Sequence, residues 1–148
     1  MRTHTEILGE RFTAVDFSET AFYGLPCIYL MAHQDDEAIC IHYAGQTGKL
    51  SRRYAAHHQL AAARALGATH ALIVVAHDAG DRRAFETLLR WWFQPPLNLE
   101  PTPTHLQAWR AAMRLGKDEA GRLARQAHLD DARKLLPAWT SRPRAPHG

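Results

Sequence analysis

Residues 40–58 combine side chains that the packing of a core rarely requires together. The segment, CIHYAGQTGKLSRRYAAHH, carries a tyrosine at the end of an apolar run, then a polar turn, then two arginines and two histidines. Guanidinium groups bind phosphate oxygens, and imidazoles exchange protons near neutral pH. The segment therefore indicates a place where the chain holds an anion and moves protons beside it.

The elements that position these groups can be predicted from apolar runs and turn residues. Strands are predicted at 27–33, 38–45 and 69–77. Helices are predicted at 49–65, 81–93, 104–115 and 118–136. Thr47 can cap the first helix and Gly67 can end it, while Pro95 stops the second. Residues 1–24 are mixed and favour neither a strand nor a helix.

Three strands, two of them forming a hairpin, predict an α/β (α+β) sandwich. Its sheet is expected to be small, three-stranded and mostly antiparallel, with helices on its faces and a C-terminal helical extension. The predicted boundaries are an N-terminal extension at 1–23, a main domain at 24–100, a basic helical extension at 101–136 and a disordered tail at 137–148.

The predicted hairpin sets the direction of its side chains. If Tyr29 and Tyr43 face the same way, odd positions pair with odd positions, because side chains alternate along a strand. Cys27 and Cys40 would then face opposite ways. This register excludes a disulfide between them and predicts two buried thiols.

The composition fits a soluble globular protein, with 46% hydrophobic and 22% charged residues, and 148 residues suit one domain. The longest apolar run, ALIVVA, has the length of a strand and is far shorter than a membrane span. The N-terminus, MRTHTEILGE, has no apolar signal core. We therefore expect a cytoplasmic protein without a membrane partner.

The basic surplus lies in the C-terminal third. Residues 1–100 carry nine Lys and Arg against eleven Asp and Glu, while residues 101–148 carry nine against four, so the balances are −2 and +5. The predicted helices place arginines in pairs on one face, Arg110 with Arg114 and Arg122 with Arg125. These pairs can contact DNA phosphates. The alternative is that apolar residues dock the helices on the body, among them Leu106, Trp109 and Met113.

The CIY of residues 27–29 and the YAG of residues 43–45 resemble the two signature strands of the GIY-YIG nucleases. The match continues in the family's order, at Leu50, Arg53, His57, Glu86 and Asn98. It covers about residues 24–100. Each residue also has an ordinary structural explanation, but the ordered set on the expected elements favours this family.

The resemblance implies a metal-dependent endonuclease that hydrolyses phosphodiester bonds of DNA. The expected catalytic residues are Tyr29, Tyr43, Arg53, His57, Glu86 and Asn98. The expected substrate contacts are Gly45, Gln46, Lys49 and Arg52. A single carboxylate cannot hold two metals, so Glu86 suits one hydrated Mg²⁺ or Mn²⁺.

Within this set the resemblance favours Tyr29 as the base and Tyr43 as a positioning residue, although the sequence alone does not separate the two roles. Arg53 would brace a phosphate oxygen through its planar fork. His57 lies four residues further on the same helix face and would bond the phosphate or relay a proton. Asn98 would fix the geometry of the site.

Three positions depart from the family pattern. Cys27 replaces the first signature glycine, Ala44 replaces the middle residue of the second signature, and Gln46 stands where many relatives carry a lysine. The missing cation leaves less to depress the pKa of a phenol. This favours one alternative function, a non-catalytic nucleic-acid-binding module with the same fold. Another is an antibacterial toxin nuclease with a cognate inhibitor, since small free-standing nucleases are sometimes used that way.

Overall fold

The computed structural model describes residues 3–18, 24–34, 38–50 and 59–115. Within them the chain forms five strands and three helices. The strands are β1 (His4–Ile7), β2 (Glu10–Val15), β3 (Cys27–Gln34), β4 (Ile39–Thr47) and β5 (His70–Val75). The helices are α1 (Leu60–Ala65), α2 (Ala79–Phe93) and α3 (His105–Leu115).

The described strands form one antiparallel sheet in the order β1-β2-β5-β3-β4. The α+β class is confirmed, but the expectation of three strands is wrong. The predicted strands form β4-β3-β5, and the segment expected to be an N-terminal extension adds β1 and β2 beside β5. Leu8 and Gly9 join these two strands with positive φ angles of 51° and 83°, which suit the twist of a two-residue hairpin turn.

Helices cover β3 on both faces, because its consecutive residues are apolar and project alternately to the two sides of the sheet. Ile28, Leu30 and Ala32 of β3 pack with α2 and α3 in one buried cluster. Cys27, Tyr29 and Met31 point the other way and pack with α1 in a second cluster, which we call the α1-face cluster. Every residue from 27 to 32 is buried, so β3 is a central strand on both faces.

The hairpin of β3 and β4 contains a bulge. Met31 pairs with Tyr43 but the next residue, Ala32, pairs with Ile41, so His42 is an extra residue in β4. Beyond this point the register changes by one, and Cys40 lies opposite His33.

The bulge overturns the predicted direction of one cysteine. Because Cys40 pairs with His33, it projects to the same face as Cys27 and not to the opposite one. The absence of a disulfide has another cause. Cys27 pairs with Thr47 at one end of the hairpin and Cys40 lies at the other, roughly 20 Å away at about 3.4 Å per residue. No disulfide joins these two described cysteines.

The two longer helices begin as the sequence predicts. The Asp78 side chain caps α2 by accepting from the Asp81 backbone N–H at 2.8 Å. Thr104 and Gln107 cap α3 reciprocally, with each side chain accepting from the other residue's backbone N–H, at 2.8 and 3.1 Å. Gly67 follows α1 with a φ of 107°.

The helix α3 docks on the body, as one of the two interpretations of this region predicts. Its buried face differs from the predicted one, because Ala108, Ala111 and Ala112 pack in the core while Leu106 and Trp109 are exposed. The predicted helix at 118–136, with its paired arginines, and the tail at 137–148 lie outside the described residues.

None of the helices in the described part of the chain has both the length and the apolar character that crossing a membrane requires.

Candidate active site at the β3–β4 hairpin

Tyr29 and Tyr43 lie side by side on one face of the hairpin. Their ring centroids are 6.1 Å apart and the ring planes differ by 28°. Tyr29 is 1% exposed and Tyr43 is half-buried against the α1-face cluster. Between Cys27 and Met31 of β3, odd positions pair with odd positions of β4, so the two tyrosines share a face. The condition under which the sequence placed the phenols side by side is therefore met.

Gly45 is required by the closeness of these rings. It pairs directly with Tyr29 across the hairpin. A Cβ atom at this position would lie 2.6 Å from both Cζ and the phenol oxygen of Tyr29, and 2.9 Å from Cε1 of Tyr43. No side chain fits there without moving a ring, so the glycine of the second signature leaves the space in which the phenols lie.

Asn98 holds the backbone of β4 between these residues. Its Nδ2 donates to the Ala44 carbonyl at 2.8 Å, and its Oδ1 accepts from the Ala44 N–H at 2.9 Å. One residue earlier, the Leu97 N–H donates to the His42 carbonyl at 3.1 Å. Since β4 is the last strand in the sheet order, these bonds cover its outer edge. Asn98 thus positions the strand that carries Tyr43 and Gly45.

Gln46 points away from the phenols. It follows Gly45 in the strand and therefore projects to the opposite face, where its Oε1 accepts from Nε of Arg82 at 3.1 Å. Lys49 is exposed in the next turn, in which the Thr47 hydroxyl accepts from the Lys49 backbone N–H at 3.1 Å. Of the expected substrate contacts, Lys49 is open to solvent, and the side chain of Gln46 is held on the other side of the sheet.

Arg82 is a residue of this region that the sequence did not predict. It is 8% exposed, and its guanidinium donates to Gln46 and, through Nη1, to the carbonyls of Ala76 and His77 at 3.0 and 2.9 Å. It thereby ties the start of α2 to the ends of β4 and β5. In the sequence, the feature that could have indicated this buried arginine is its position three residues before Phe85, on the apolar face of the helix.

Cys27, at the start of β3, carries an inert thiol. Burial raises the pKa of Cys27 to about 12, and the nearby Arg82 guanidinium opposes this shift more weakly. At neutral pH Cys27 is therefore protonated, and it contributes packing to the α1-face cluster.

Glu86 is half-buried on α2 and lies one turn after Arg82. The apolar face of α2 packs on the face of the hairpin opposite the phenols, so α2 and the two phenols lie on opposite faces of the sheet. Across 3–18, 24–34, 38–50 and 59–115, no group of three or more His, Cys, Asp and Glu could hold a metal.

Arg52, Arg53 and His57 lie outside the described residues, and their expected roles stay predictions. The chain on both sides of them is anchored at the site. Leu50 is fully buried in the α1-face cluster with Tyr29. On the other side, Gln59 donates from Nε2 to the Leu97 carbonyl at 3.1 Å.

A histidine pair occupies the bulged end of the same hairpin. Nδ1 of His33 and Nε2 of His42 are 2.8 Å apart, so one ring donates a proton to the other. His70 lies on the neighbouring strand β5, opposite Ala32, and burial is the main cause that lowers its pKa. No sequence pattern indicates this pair, because the bulge at His42 creates it.

Comparisons of the chain with protein-family models, with curated proteins and with solved structures gave no match.

Proposed function

We propose that this chain is a metal-dependent endonuclease of the GIY-YIG type that hydrolyses phosphodiester bonds of DNA at a single-metal site. The observation that carries the proposal is the close packing of Tyr29 and Tyr43 against Gly45. The side-chain-free position at Gly45 lets the Tyr29 phenol lie across β4 beside the Tyr43 phenol. It supports a site in which hydroxyl groups are held in fixed places.

The two phenols have different surroundings, which suit different roles. Tyr29 is buried and fixed against the backbone of β4, while Tyr43 is half-buried beside it. We assign Tyr29 as the residue that takes the proton of the attacking water and Tyr43 as the residue that orients that water. A free phenol titrates near pH ~10, so the base needs a cation beside it. Arg53 is the candidate for that cation, and it also braces the phosphate.

Glu86 would hold one Mg²⁺ or Mn²⁺ ion, with water and substrate oxygens as its other ligands. When bound, such an ion stabilises the charge that develops on the phosphate and the leaving oxygen. Asn98 holds β4 and hence the spacing between the phenols. His57 would bond a phosphate oxygen or return a proton to the leaving group.

The proposal is tested by cleavage of labelled single-stranded, duplex and branched DNA with and without Mg²⁺ or Mn²⁺. Tyr29→Phe removes one hydroxyl and almost no volume, so we expect an intact fold and a loss of at least ~10²-fold in rate. Glu86→Gln should abolish the stimulation by divalent metal and leave DNA binding intact. Thr13→Val, which removes a hydroxyl from β2 at the far side of the sheet, is the matched control.

Cleavage by Tyr29→Phe at a near wild-type rate would show that the site is placed wrongly. Wild-type chain that binds DNA but never cleaves it would favour the non-catalytic binding module instead. Growth arrest on expression, relieved by a neighbouring gene product, would favour the toxin.

A further inference from the structure

A groove with basic walls runs between α2 and α3. The helices are antiparallel, because Arg114 near the end of α3 meets Asp78 and Asp81 at the start of α2. The groove has a volume of about 470 Å³ and opens to solvent. One wall carries Arg83, Thr87 and Arg90, and the other carries Gln107, Arg110 and Arg114.

On each helix, the residues that line the groove lie in a row along one face. Positions 83, 87 and 90 of α2 differ by four and three residues, as do positions 107, 110 and 114 of α3 in the reverse order, so each set projects from one helix face. From Arg83 to Arg90 the row is about 10 Å long, at 1.5 Å per residue. Ala84 and Ala111 lie between the rows and leave the space open.

Two of the four arginines have no acidic partner within the described residues. Arg83 and Arg110 are exposed and form no ion pair there. Arg114 differs, because it is bound to Asp78 and Asp81 at 3.2 Å each and stabilises the contact between the helices.

Arg90 is only partly satisfied. Its side chain is 12% exposed, and Nη2 donates to the Pro101 carbonyl at 2.8 Å. Its Nε is buried and has no hydrogen-bond partner in the described part of the chain. The carboxylate of Glu100 lies 3.5 Å from Nη2 and is 70% exposed, which makes it a weak and easily displaced partner.

We propose that the groove between α2 and α3 binds the phosphodiester backbone of a nucleic acid strand. Arginine forks match phosphate oxygens, and separate cations on two facing walls suit a ligand with repeated charges along its length better than a single small anion. Glu86 borders one wall of the groove, because it lies three residues after Arg83 and four residues before Arg90 on α2. Its ligand follows from its own charges and does not depend on the hydrolysis proposed above.

The groove can be tested by measuring the affinity of the full chain for labelled single-stranded and duplex DNA over a range of salt concentrations. EDTA is present throughout, so cleavage plays no part. The double variant Arg83→Gln with Arg110→Gln should bind about 10- to 100-fold more weakly at 0.1 M salt. Its log–log salt slope should fall by about 0.7 to 0.9 for each phosphate that is no longer neutralised. Glu100→Gln should bind more tightly than wild type.

Arg11→Gln is the matched control. Arg11 is also exposed, but it lies on β2 next to Phe12. Because Phe12 packs against Phe85 of α2, Arg11 projects to the opposite face of the sheet. Unchanged affinity and slope in the double variant would overturn the proposal. So would an equal loss in Arg11→Gln, which would show an effect of net charge alone. Displacement of the DNA by inorganic tripolyphosphate at equal phosphate concentration would also overturn it, in favour of a site for free polyphosphate.

The result of this binding assay can be distinguished from a failure of the nuclease proposal. Thr13→Val, on β2 at the far side of the sheet, should bind DNA like wild type in this assay. Thermal unfolding should be unchanged in the arginine variants, since both side chains are exposed. Loss of binding therefore tests the groove, and loss of cleavage tests the hairpin.

Discussion

At the scale of single residues, the candidate site depends on the absence of a side chain at Gly45. Gly45 has a φ outside the left-handed region, so its role lies in the space that it leaves for Tyr29 and not in its backbone freedom. The sequence predicted the tyrosines and the glycine because their types and order are distinctive. It did not predict Arg82, since a buried arginine bound to carbonyl groups leaves no pattern other than its place on an apolar stripe.

Gly45→Ala should therefore disturb the site far more than its small change suggests. The new methyl group must displace the Tyr29 phenol, so we expect a loss of about 1 to 3 kcal/mol in the free energy of unfolding and a loss of cleavage. Gly48→Ala is the control, because its Cβ would meet nothing closer than Nη2 of Arg82 at 3.6 Å. Chemical denaturation of both variants measures the difference, and equal stabilities would contradict the close packing.

At the scale of elements, the segment after α2 protects the edge of the sheet. Residues 95–98 run beside β4, and three hydrogen bonds join them to Ala44 and His42. An amide side chain here serves as a substitute for a neighbouring strand, because it offers one donor and one acceptor to the same residue. The resemblance predicts that Asn98 fixes the geometry of the site. Its bonds to the edge of β4 could not be predicted from the sequence, in which an asparagine after two prolines is an ordinary turn residue.

Asn98→Ala should weaken this element. It leaves the part-buried N–H and C=O of Ala44 without their partners, so we expect a loss of about 1 to 3 kcal/mol in the free energy of unfolding. Hydrogen exchange at the Ala44 amide should also become faster. Leu99→Ala is the control, since Leu99 is 82% exposed and should change neither quantity. Slow exchange at Ala44 in Asn98→Ala would show that the edge is protected by other contacts.

The elements themselves were predicted unevenly. The helices α2 and α3 were predicted within two residues of their observed ends, because Asp78, Thr104 and Pro95 mark their limits. The strands β1 and β2 were missed. Only Ile7 of β1 is buried and the two buried residues of β2 are three positions apart, so neither strand shows the alternation by which strands are recognised.

At the scale of the whole molecule, the N-terminal strands complete the core. Phe12 of β2 is fully buried and meets Phe85 of α2 edge to face, with ring centroids 5.8 Å apart. The sheet was predicted too small because its size depends on this contact between distant parts of the chain. Patterns of neighbouring residues in the sequence do not predict a contact between distant parts of the chain, whereas they do predict helix caps and turns.

Phe12→Ala should destabilise the whole chain and not only its N-terminus. We expect a loss of about 3 to 5 kcal/mol in the free energy of unfolding, the usual range for a fully buried phenylalanine. Arg11→Ala changes the exposed neighbour and should have little effect. Hydrogen exchange in β3 reports the outcome. If hydrogen exchange in Phe12→Ala becomes fast in β1 and β2 but stays slow in β3, the rest of the sheet is stable without the N-terminal strands.

The bulge at His42 also determines where chains of this architecture can differ in length. A chain without residue 42 would still pair Tyr43 with Met31 and Ile41 with Ala32, and alternation along β4 would become regular. The hydrogen bonds that His42 forms with His33 and with the Leu97 N–H would disappear, but both core faces and both phenols would keep their places. When related sequences of unequal length are aligned, a one-residue gap in this hairpin therefore belongs within the second strand and not in the turn.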